Sequence, residues 1–174
     1  FFKSQRALIS ATLRDHLTCS QQYLQFEQII SKSAMSVAIH IRRGDYVSDP
    51  KASKVHLVCT EQYYMTALSY VLDIDPSANI FVFSDDIEWA RGVISSKQAS
   101  FIGDKDLVDP MENILLMSRC HHQIISNSSF SWWSAWLNNN SNKVVCAPSR
   151  WINGDDSMFD GIYFDECVKI EVNG

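Results

Sequence analysis

The chain has 174 residues, 46% of them hydrophobic and 20% charged, and its formal net charge is −5. This length fits a single domain over residues 1–174, with enough apolar residues for a sizeable core. The acidic balance argues against a nucleic-acid-binding protein, because such proteins present a basic face. The sequence holds no apolar run near the roughly 20 residues that span a bilayer, and its first residues do not resemble a secretory signal.

Short apolar runs alternate with helical patterns along the whole chain. Helical patterns lie at residues 4–17, 20–31, 60–72, 84–90, 109–119 and from 127 onwards. Strands are predicted at residues 36–42, 79–83, 98–102, 122–126, 143–147 and 168–172. Ser20, Thr60 and Asp109 stand at N-cap positions, and Pro110 follows at the first helical position. The alternation predicts a three-layer Rossmann-like α/β fold whose strands at 36–42, 79–83 and 122–126 are parallel and nearly adjacent.

The strand predicted at residues 36–42 ends in charged residues. His40 and Arg42 share one face of this strand and Arg43 lies on the other, because side chains in a strand alternate. Ligands of open α/β sheets bind beyond the carboxyl ends of the strands, where Arg42 stands. Its guanidinium offers planar, bidentate donors that suit phosphate oxygens. We interpret this segment as an anion site; a core histidine and a surface ion pair between Arg43 and Asp45 are the alternative.

A second polar turn follows the strand predicted at residues 122–126. It contains Asn127, Ser128, Ser129 and Ser131 just before a helical pattern. The first turn of a helix presents unpaired N–H groups and a partial positive charge, which favour a phosphate. One such residue would suffice as a helix cap, so the turn is either a second part of the anion site or a serine-rich cap.

Cysteine and acidic residues do not predict a metal site. The five cysteines are odd in number and lack paired C-x-x-C spacing, which indicates reduced thiols in a cytosolic protein. Cys120-His121-His122 has no second pair at ligand spacing. Asp85-Asp86 lacks D-x-D spacing, and Asp85 fits a helix N-cap. We therefore expect no metal, no cofactor, and a cytoplasmic location, with peripheral association at the membrane as the other option.

Three segments together resemble, in this order, the motifs of the α-1,2-fucosyltransferases of glycosyltransferase family 11. They are HIRRGDY at residues 40–46, FSDDIEWA at 83–90 and ISNSSFSWWSAWLN at 125–138. The resemblance covers nearly the whole chain. It implies a GT-B-like fold with two Rossmann-type halves, and an inverting, metal-independent transfer of L-fucose from GDP-fucose to a hydroxyl, commonly O2 of a galactose in a glycan.

The resemblance also implies roles for residues at matching positions. The implied donor-binding residues are His40, Arg42, Arg43, Asp45, Asp85, Asn127, Ser128, Ser129 and Phe130. Arg42 would hold the donor pyrophosphate and act in catalysis, and residues 128–130 would lie along the phosphates. His40 and Asp85 would lie near the guanine or ribose, while Arg43 and Asp45 would support the loop. Asp49 is a candidate catalytic base, although a turn residue before a proline needs no such role.

One family feature is missing from this sequence. Family members begin with a Gly-rich G-G-L-G-N-Q-like segment in a preceding half, and this chain has none. We therefore expect a C-terminal donor-binding half, with the N-terminal half and much of the acceptor site absent. Such a chain would bind GDP-fucose but transfer fucose poorly. The competing hypotheses are a nonenzymatic sugar-nucleotide or glycan-binding module and, less favoured, a sugar-nucleotide hydrolase.

Overall fold

The computed structural model describes residues 3–15, 19–103, 106 and 109–172. Within these residues the strands are β1 Ser36–Ile41, β2 Asn79–Ser84, β3 Ala99–Gly103, β4 His122–Ile124, β5 Val145–Pro148 and β6 Cys167–Ile170. They form a six-stranded sheet of order β3-β2-β1-β4-β5-β6 in which every pair of neighbours is parallel. This is the strand order of a doubly wound Rossmann sheet.

Helices connect the strands. They are α1 Arg6–Asp15, α2 Gln21–Lys32, α3 Gly44–Ser48, α4 Ala52–Val55, α5 Glu61–Ile74, α6 Ile87–Val93, α7 Pro110–Arg119 and α8 Ser129–Leu137, with short 3-10 turns at Lys3–Gln5 and Ser157–Ile162. None of the helices in the described ranges combines the length and the apolar character that a bilayer span requires.

The predicted α/β architecture is confirmed. β1 pairs in parallel with β2 on one side and with β4 on the other, so the strands predicted at 36–42, 79–83 and 122–126 are direct neighbours. The segment between β1 and α5, for which the sequence predicted no helix, folds into α3 and α4. The first helix ends at Asp15 within the described residues, and positions 16 and 17 of the predicted helix lie outside them.

Helix caps agree with the sequence in most places. The N-caps predicted for α2, α5 and α7 are confirmed at Ser20, Thr60 and Asp109. The cap of α6 was predicted wrongly: Asp86, not Asp85, accepts the backbone N–H of Trp89, at 3.2 Å. The carboxylate of Asp85 turns instead toward Arg42 and the backbone of Arg43, where it accepts hydrogen bonds.

The two faces of the sheet carry separate cores, which makes the fold three-layered. Val37 and Ile39 of β1 are fully buried on the face that α5 and α6 cover. Ala38, between them, faces the opposite core, where Phe81 of β2 packs with Leu116 of α7. Fully burying one large apolar side chain contributes about 1.5–3 kcal/mol, so these cores hold the strand ends in place.

Candidate functional site

The carboxyl ends of β1 and β2 and the start of α8 enclose a cleft of about 600 Å³. Small-molecule sites commonly measure about 300–1,000 Å³, so this cleft can hold a ligand. It lies near the junction of β1 and β4, where the strand order reverses, the usual ligand position in doubly wound sheets. Of the predicted site residues, the cleft is lined by His40, Arg42, Asp45, Asp85, Ser128, Ser129 and Phe130.

Arg42 is held in place by two carboxylates. Its Nη1 donates to Asp85 Oδ2 at 2.7 Å, and its Nη2 donates to Asp45 Oδ1 at 2.5 Å. The guanidinium also lies over the ring of Tyr46, 5.5 Å from its centroid. Among the described residues these bonds use two of the five N–H donors of an arginine, so the others can meet an anion. The alternative ion pair between Arg43 and Asp45 does not form; Asp45 pairs with Arg42.

Arg43 lies behind the cleft wall and fixes the loop to α6. Its Nε donates to Asp86 Oδ2 at 3.1 Å, and its guanidinium stacks 4.1 Å from the centroid of the Trp89 ring. Gly44 follows at a point of close approach, because a Cβ there would stand 2.6 Å from Asp85 Oδ2. A side chain at position 44 would therefore push Asp85 away from Arg42.

His40 is buried and also forms part of the cleft wall. Its Nδ1 is 2.8 Å from Ser126 Oγ, and its ring centroid is 5.3 Å from that of Phe130. Burial, and then the positive charge of Arg42, lower the pKa of His40 to about 3. The ring is therefore neutral at physiological pH and adds no charge to the cleft.

The turn before α8 divides into two roles. Ser128 is the N-cap of α8, and its Oγ accepts from the backbone N–H of Phe130 at 3.3 Å. The structure does not bring the Asn127 side chain into the cleft. Its buried amide donates to the carbonyl oxygens of Leu57 and Trp151, each at 2.7 Å. Asn127 thus joins two loops, because a buried amide needs partners.

Asp49 also lies away from the cleft wall. It is exposed at the C-terminal end of α3, and its Oδ1 accepts the backbone N–H of Lys51 at 2.7 Å. This is the geometry of a turn residue, the alternative that the sequence left open.

Sequence reasoning missed part of the cleft wall. The additional lining residues are Tyr46, His56, Phe83, Ser84, Ile102, Pro110 and Asn113. His40, Phe83 and Ile102 are in register across β1, β2 and β3, so the strand-end rule that singled out Arg42 could have found Ile102. Asn113 is 9% exposed, and its amide makes no hydrogen bond to any residue that the structure describes. Helical spacing alone does not indicate that this position faces a ligand.

In the part of the chain that the structure describes, Cys120, His121 and His122 do not form a metal site. All five cysteines are free thiols. His121 Nδ1 lies 2.9 Å from Ser36 Oγ, and His122 Nδ1 accepts the backbone N–H of Val144 at 3.0 Å. Within the described ranges, no group of three or more His, Cys, Asp or Glu side chains is arranged to hold a metal ion.

Residues 1–170 match the family model described as Glycosyl transferase family 11. The chain belongs to glycosyltransferase family 11. The resemblance carried by the three motif segments is thereby confirmed, and the cleft described above is where those segments meet.

Curated relatives of this family-11 chain are glycosyltransferases. It is 36% identical over 132 residues to the O-antigen biosynthesis glycosyltransferase WbnK of Escherichia coli, covering 75% of this chain and 44% of the relative. It is 42% identical over 146 residues to an alpha-1,2-colitosyltransferase of Escherichia coli, covering 78% and 48%. It is 27% identical over 145 residues to galactoside alpha-(1,2)-fucosyltransferase 1 of Saimiri boliviensis boliviensis, covering 79% and 40%. The chain spans less than half the length of these relatives.

A solved structure supports the fold. The glycosyl transferase family 9 protein from Veillonella parvula DSM 2008 is similar with a TM-score of 0.50 and 15% identity, over 88% of this chain and 41% of that chain. At this identity the likeness concerns the fold alone, and it agrees with the Rossmann-like, GT-B-type architecture expected for family 11.

Proposed function

We propose that this chain is the donor-binding part of an inverting, metal-independent α-1,2-fucosyltransferase that moves L-fucose from GDP-fucose to a galactose hydroxyl of a glycan. The observation that carries the proposal is Arg42, at the end of β1 in a cleft that also contains the start of α8. Family membership supports sugar transfer, and the names of the curated relatives support a deoxy sugar joined by an α-1,2 linkage.

The diphosphate would bind at the polar part of the cleft. The N–H groups of Arg42 that do not meet carboxylates, the hydroxyls of Ser128 and Ser129, and the N-terminus of α8 all suit phosphate oxygens. Asp45 is the carboxylate that can yield, because its side chain is 53% exposed whereas that of Asp85 is 13% exposed. Asp85 would keep the guanidinium aimed at the ligand.

The nucleoside would occupy the apolar part of the cleft. Phe83, Ile102 and Phe130 contribute apolar surface there, and the Asn113 amide is a polar group without a protein partner among the described residues. Ligand sites commonly combine such an apolar lining with a few polar groups that set orientation. His40, neutral and buried, would stand at this wall without competing for the diphosphate.

Catalysis would depend on the departing GDP. The acceptor hydroxyl attacks C1 of fucose, the bond from C1 to the phosphate oxygen breaks, and GDP leaves with its electron pair. Arg42 and the N-terminus of α8 would stabilise the charge that develops on that oxygen. Preorganised donors of this kind are typically worth about 10²- to 10³-fold in rate each.

Calorimetry on the purified chain tests the proposal. We expect GDP and GDP-fucose to bind, GDP-mannose to bind through the shared GDP, and UDP-galactose to bind much more weakly. Binding should persist in EDTA, because arginine and a helix N-terminus would neutralise the diphosphate. Equal affinity for UDP-galactose, or GDP binding that collapses in EDTA and returns with Mn²⁺, would contradict the proposal.

A sugar-nucleotide-binding module with little or no transferase activity is the second candidate, because the chain spans less than half the length of its curated relatives. Because the chain spans less than half of its relatives, we propose that it binds GDP-fucose but transfers fucose slowly, with hydrolysis by water as residual activity. Positioning a second reactant is worth on the order of 7–11 kcal/mol of barrier in favourable cases. Co-expression with a Gly-rich N-terminal half should therefore raise transfer to a galactoside, whereas equal rates without it would show that the acceptor site lies in this chain.

A further inference from the structure

His56 lines the same cleft as Arg42 but lies outside all three motif segments. Its ring stacks on that of Tyr46, with centroids 4.2 Å apart and planes within 4°. Tyr46 is itself fixed, because its hydroxyl donates to the Asn127 carbonyl at 3.4 Å and Arg42 lies over its ring. The His56 ring is therefore the third member of a stack formed by Arg42, Tyr46 and His56, in which Arg42 is the residue proposed to bind the phosphates.

The backbone at His56 is also held from two sides. Its N–H donates to the Ala52 carbonyl at 2.8 Å, and its own carbonyl accepts from Asn153 Nδ2 at 3.2 Å. An isolated antiparallel bridge pairs His56 with Ile152. These contacts orient the ring without using its nitrogens, and neither ring nitrogen hydrogen-bonds to any residue in the described part of the chain.

Each of the other titratable groups on the cleft wall hydrogen-bonds to another residue of the protein. Asp45 and Asp85 accept hydrogen bonds from Arg42. His40 is bonded to Ser126, and burial keeps it neutral to well below physiological pH. Burial also raises the pKa of Tyr46, whose hydroxyl acts as a donor. His56 is the half-buried group whose lone pair can accept a proton from a molecule in the cleft.

We propose that His56 is the general base of the transfer reaction; this inference rests on the function proposed above. The acceptor oxygen forms a bond to C1 of fucose while the bond from C1 to the GDP oxygen breaks. The proton of the attacking hydroxyl passes to a ring nitrogen of His56, which then releases it to water. GDP departs with the electron pair of the broken bond, so atoms and charge balance without any further reactant.

Paired substitutions separate proton transfer from stacking. His56→Phe keeps an aromatic ring against Tyr46 but removes the nitrogen, and His56→Gln keeps a polar group but removes the stack. Both should bind GDP within about threefold of the wild type and consume GDP-fucose about 10²- to 10⁴-fold more slowly, the usual worth of a general base. His121→Gln, outside the cleft, is the matched control and should keep the wild-type rate.

The pH dependence of the rate distinguishes a general base from a residue that only supports the structure, because loss of structural support would not remove the acid limb of the profile. A reaction that depends on a general base slows on the acid side of its pH profile, so the wild type should show an acid limb that His56→Phe lacks. The charged groups that share the cleft are Arg42, Asp45 and Asp85. In the loop whose Ile152 pairs with His56, the carboxylate of Asp156 accepts hydrogen bonds from the backbone N–H groups of Trp151 and Ile152. An acid limb that persists in His56→Phe assigns the base to another group and overturns the inference.

NMR spectroscopy tests the assignment of His56 even if the chain consumes GDP-fucose too slowly for a kinetic assay. The ring resonances of His56, assigned by their loss in His56→Phe, should shift further with GDP-fucose than with GDP, because the base lies beside the sugar. Identical shifts, or none, overturn the assignment even if GDP binds. If the chain binds neither ligand, the proposed function fails first, and the base assignment fails with it.

Discussion

Replacing Arg42 with alanine tests the proposed diphosphate site most directly. The change removes the guanidinium that Asp45 and Asp85 hold in the cleft. It also leaves both carboxylates facing the position of the phosphates without a counter-charge. We therefore expect GDP to bind much more weakly while the sheet and its two cores remain intact.

The magnitude follows from the two effects. Losing a charge-assisted hydrogen bond costs about 1.5–3 kcal/mol, which corresponds to roughly 10- to 150-fold in affinity. Two like charges at about 4 Å repel by about 1 kcal/mol even in water, which adds roughly fivefold. Together they predict a GDP dissociation constant about 50-fold or more above that of the wild type.

Titration calorimetry with GDP measures the effect, and urea unfolding of each variant checks the fold. Arg42→Lys should restore affinity only in part, since lysine keeps the charge but loses the planar fork. Adding Asp45→Asn to Arg42→Ala should recover the repulsive part. Arg91→Ala is the control, because Arg91 is exposed on α6 and stacks on Phe101 away from the cleft wall.

The reasoning is refuted if folded Arg42→Ala binds GDP within threefold of the wild type, or if Arg42→Lys binds as well as the wild type. The first result would remove Arg42 from the phosphate site. The second would mean that charge alone, without the fork geometry, accounts for its contribution.

Other residues give further predictions. Gly44→Ala should weaken GDP binding about tenfold in calorimetry, a loss of about 1.4 kcal/mol, because its Cβ would displace Asp85; Gly92→Ala, with open space around it, should not. Lys143 has a fully buried side chain that donates to the carbonyls of Ala135 and Asn138, so Lys143→Met should lower the free energy of unfolding in urea by about 2–4 kcal/mol. Folding lowers the pKa of His40 to about 3, so as the pH falls His40 is protonated in the unfolded chain before it is protonated in the folded chain. The neutral, buried His40 therefore contributes to the free energy of unfolding above about pH 6.5, and this contribution is lost as the pH falls from about 6.5 toward 3. Between about pH 7 and pH 5, the free energy of unfolding measured in urea should therefore fall by about 2 kcal/mol less for His40→Gln than for the wild type. Equal decreases in the two proteins would contradict this prediction.

Local sequence was enough to predict the order and type of the strands and of every long helix, but not the short helices α3 and α4. The alternation of apolar strands and helical patterns determined the parallel sheet, because the four central strands are buried on both faces and each crossover requires a helix. The caps at Ser20, Thr60 and Asp109 were also predictable, since a cap satisfies backbone N–H groups within three residues of itself. The family was likewise identifiable from short contiguous motifs.

Local sequence was not enough where two similar residues compete for one role. Asp85 and Asp86 are both placed to cap α6, and the sequence favoured Asp85. In the fold, the N–H groups of Arg42 and Arg43 arrive from the neighbouring strand and engage Asp85, which leaves Asp86 to cap the helix. Asn127 is a similar case. The resemblance implied that it binds the donor, but its side-chain amide donates to the carbonyls of Leu57 and Trp151 in two distant loops.

The sequence by itself determined which segments supply Arg42, the carboxylates and the serines of the cleft, because those groups stand at strand ends and helix starts whose positions follow from local pattern. Only the tertiary structure decided that Asn113 and His56 join the same cleft. One comes from a helix whose angle depends on packing against the sheet. The other comes from a loop held by partners about a hundred residues away in sequence, among them Asn153 and Ile152. Contacts of that range depend on how the layers pack, and no spacing within a segment encodes them.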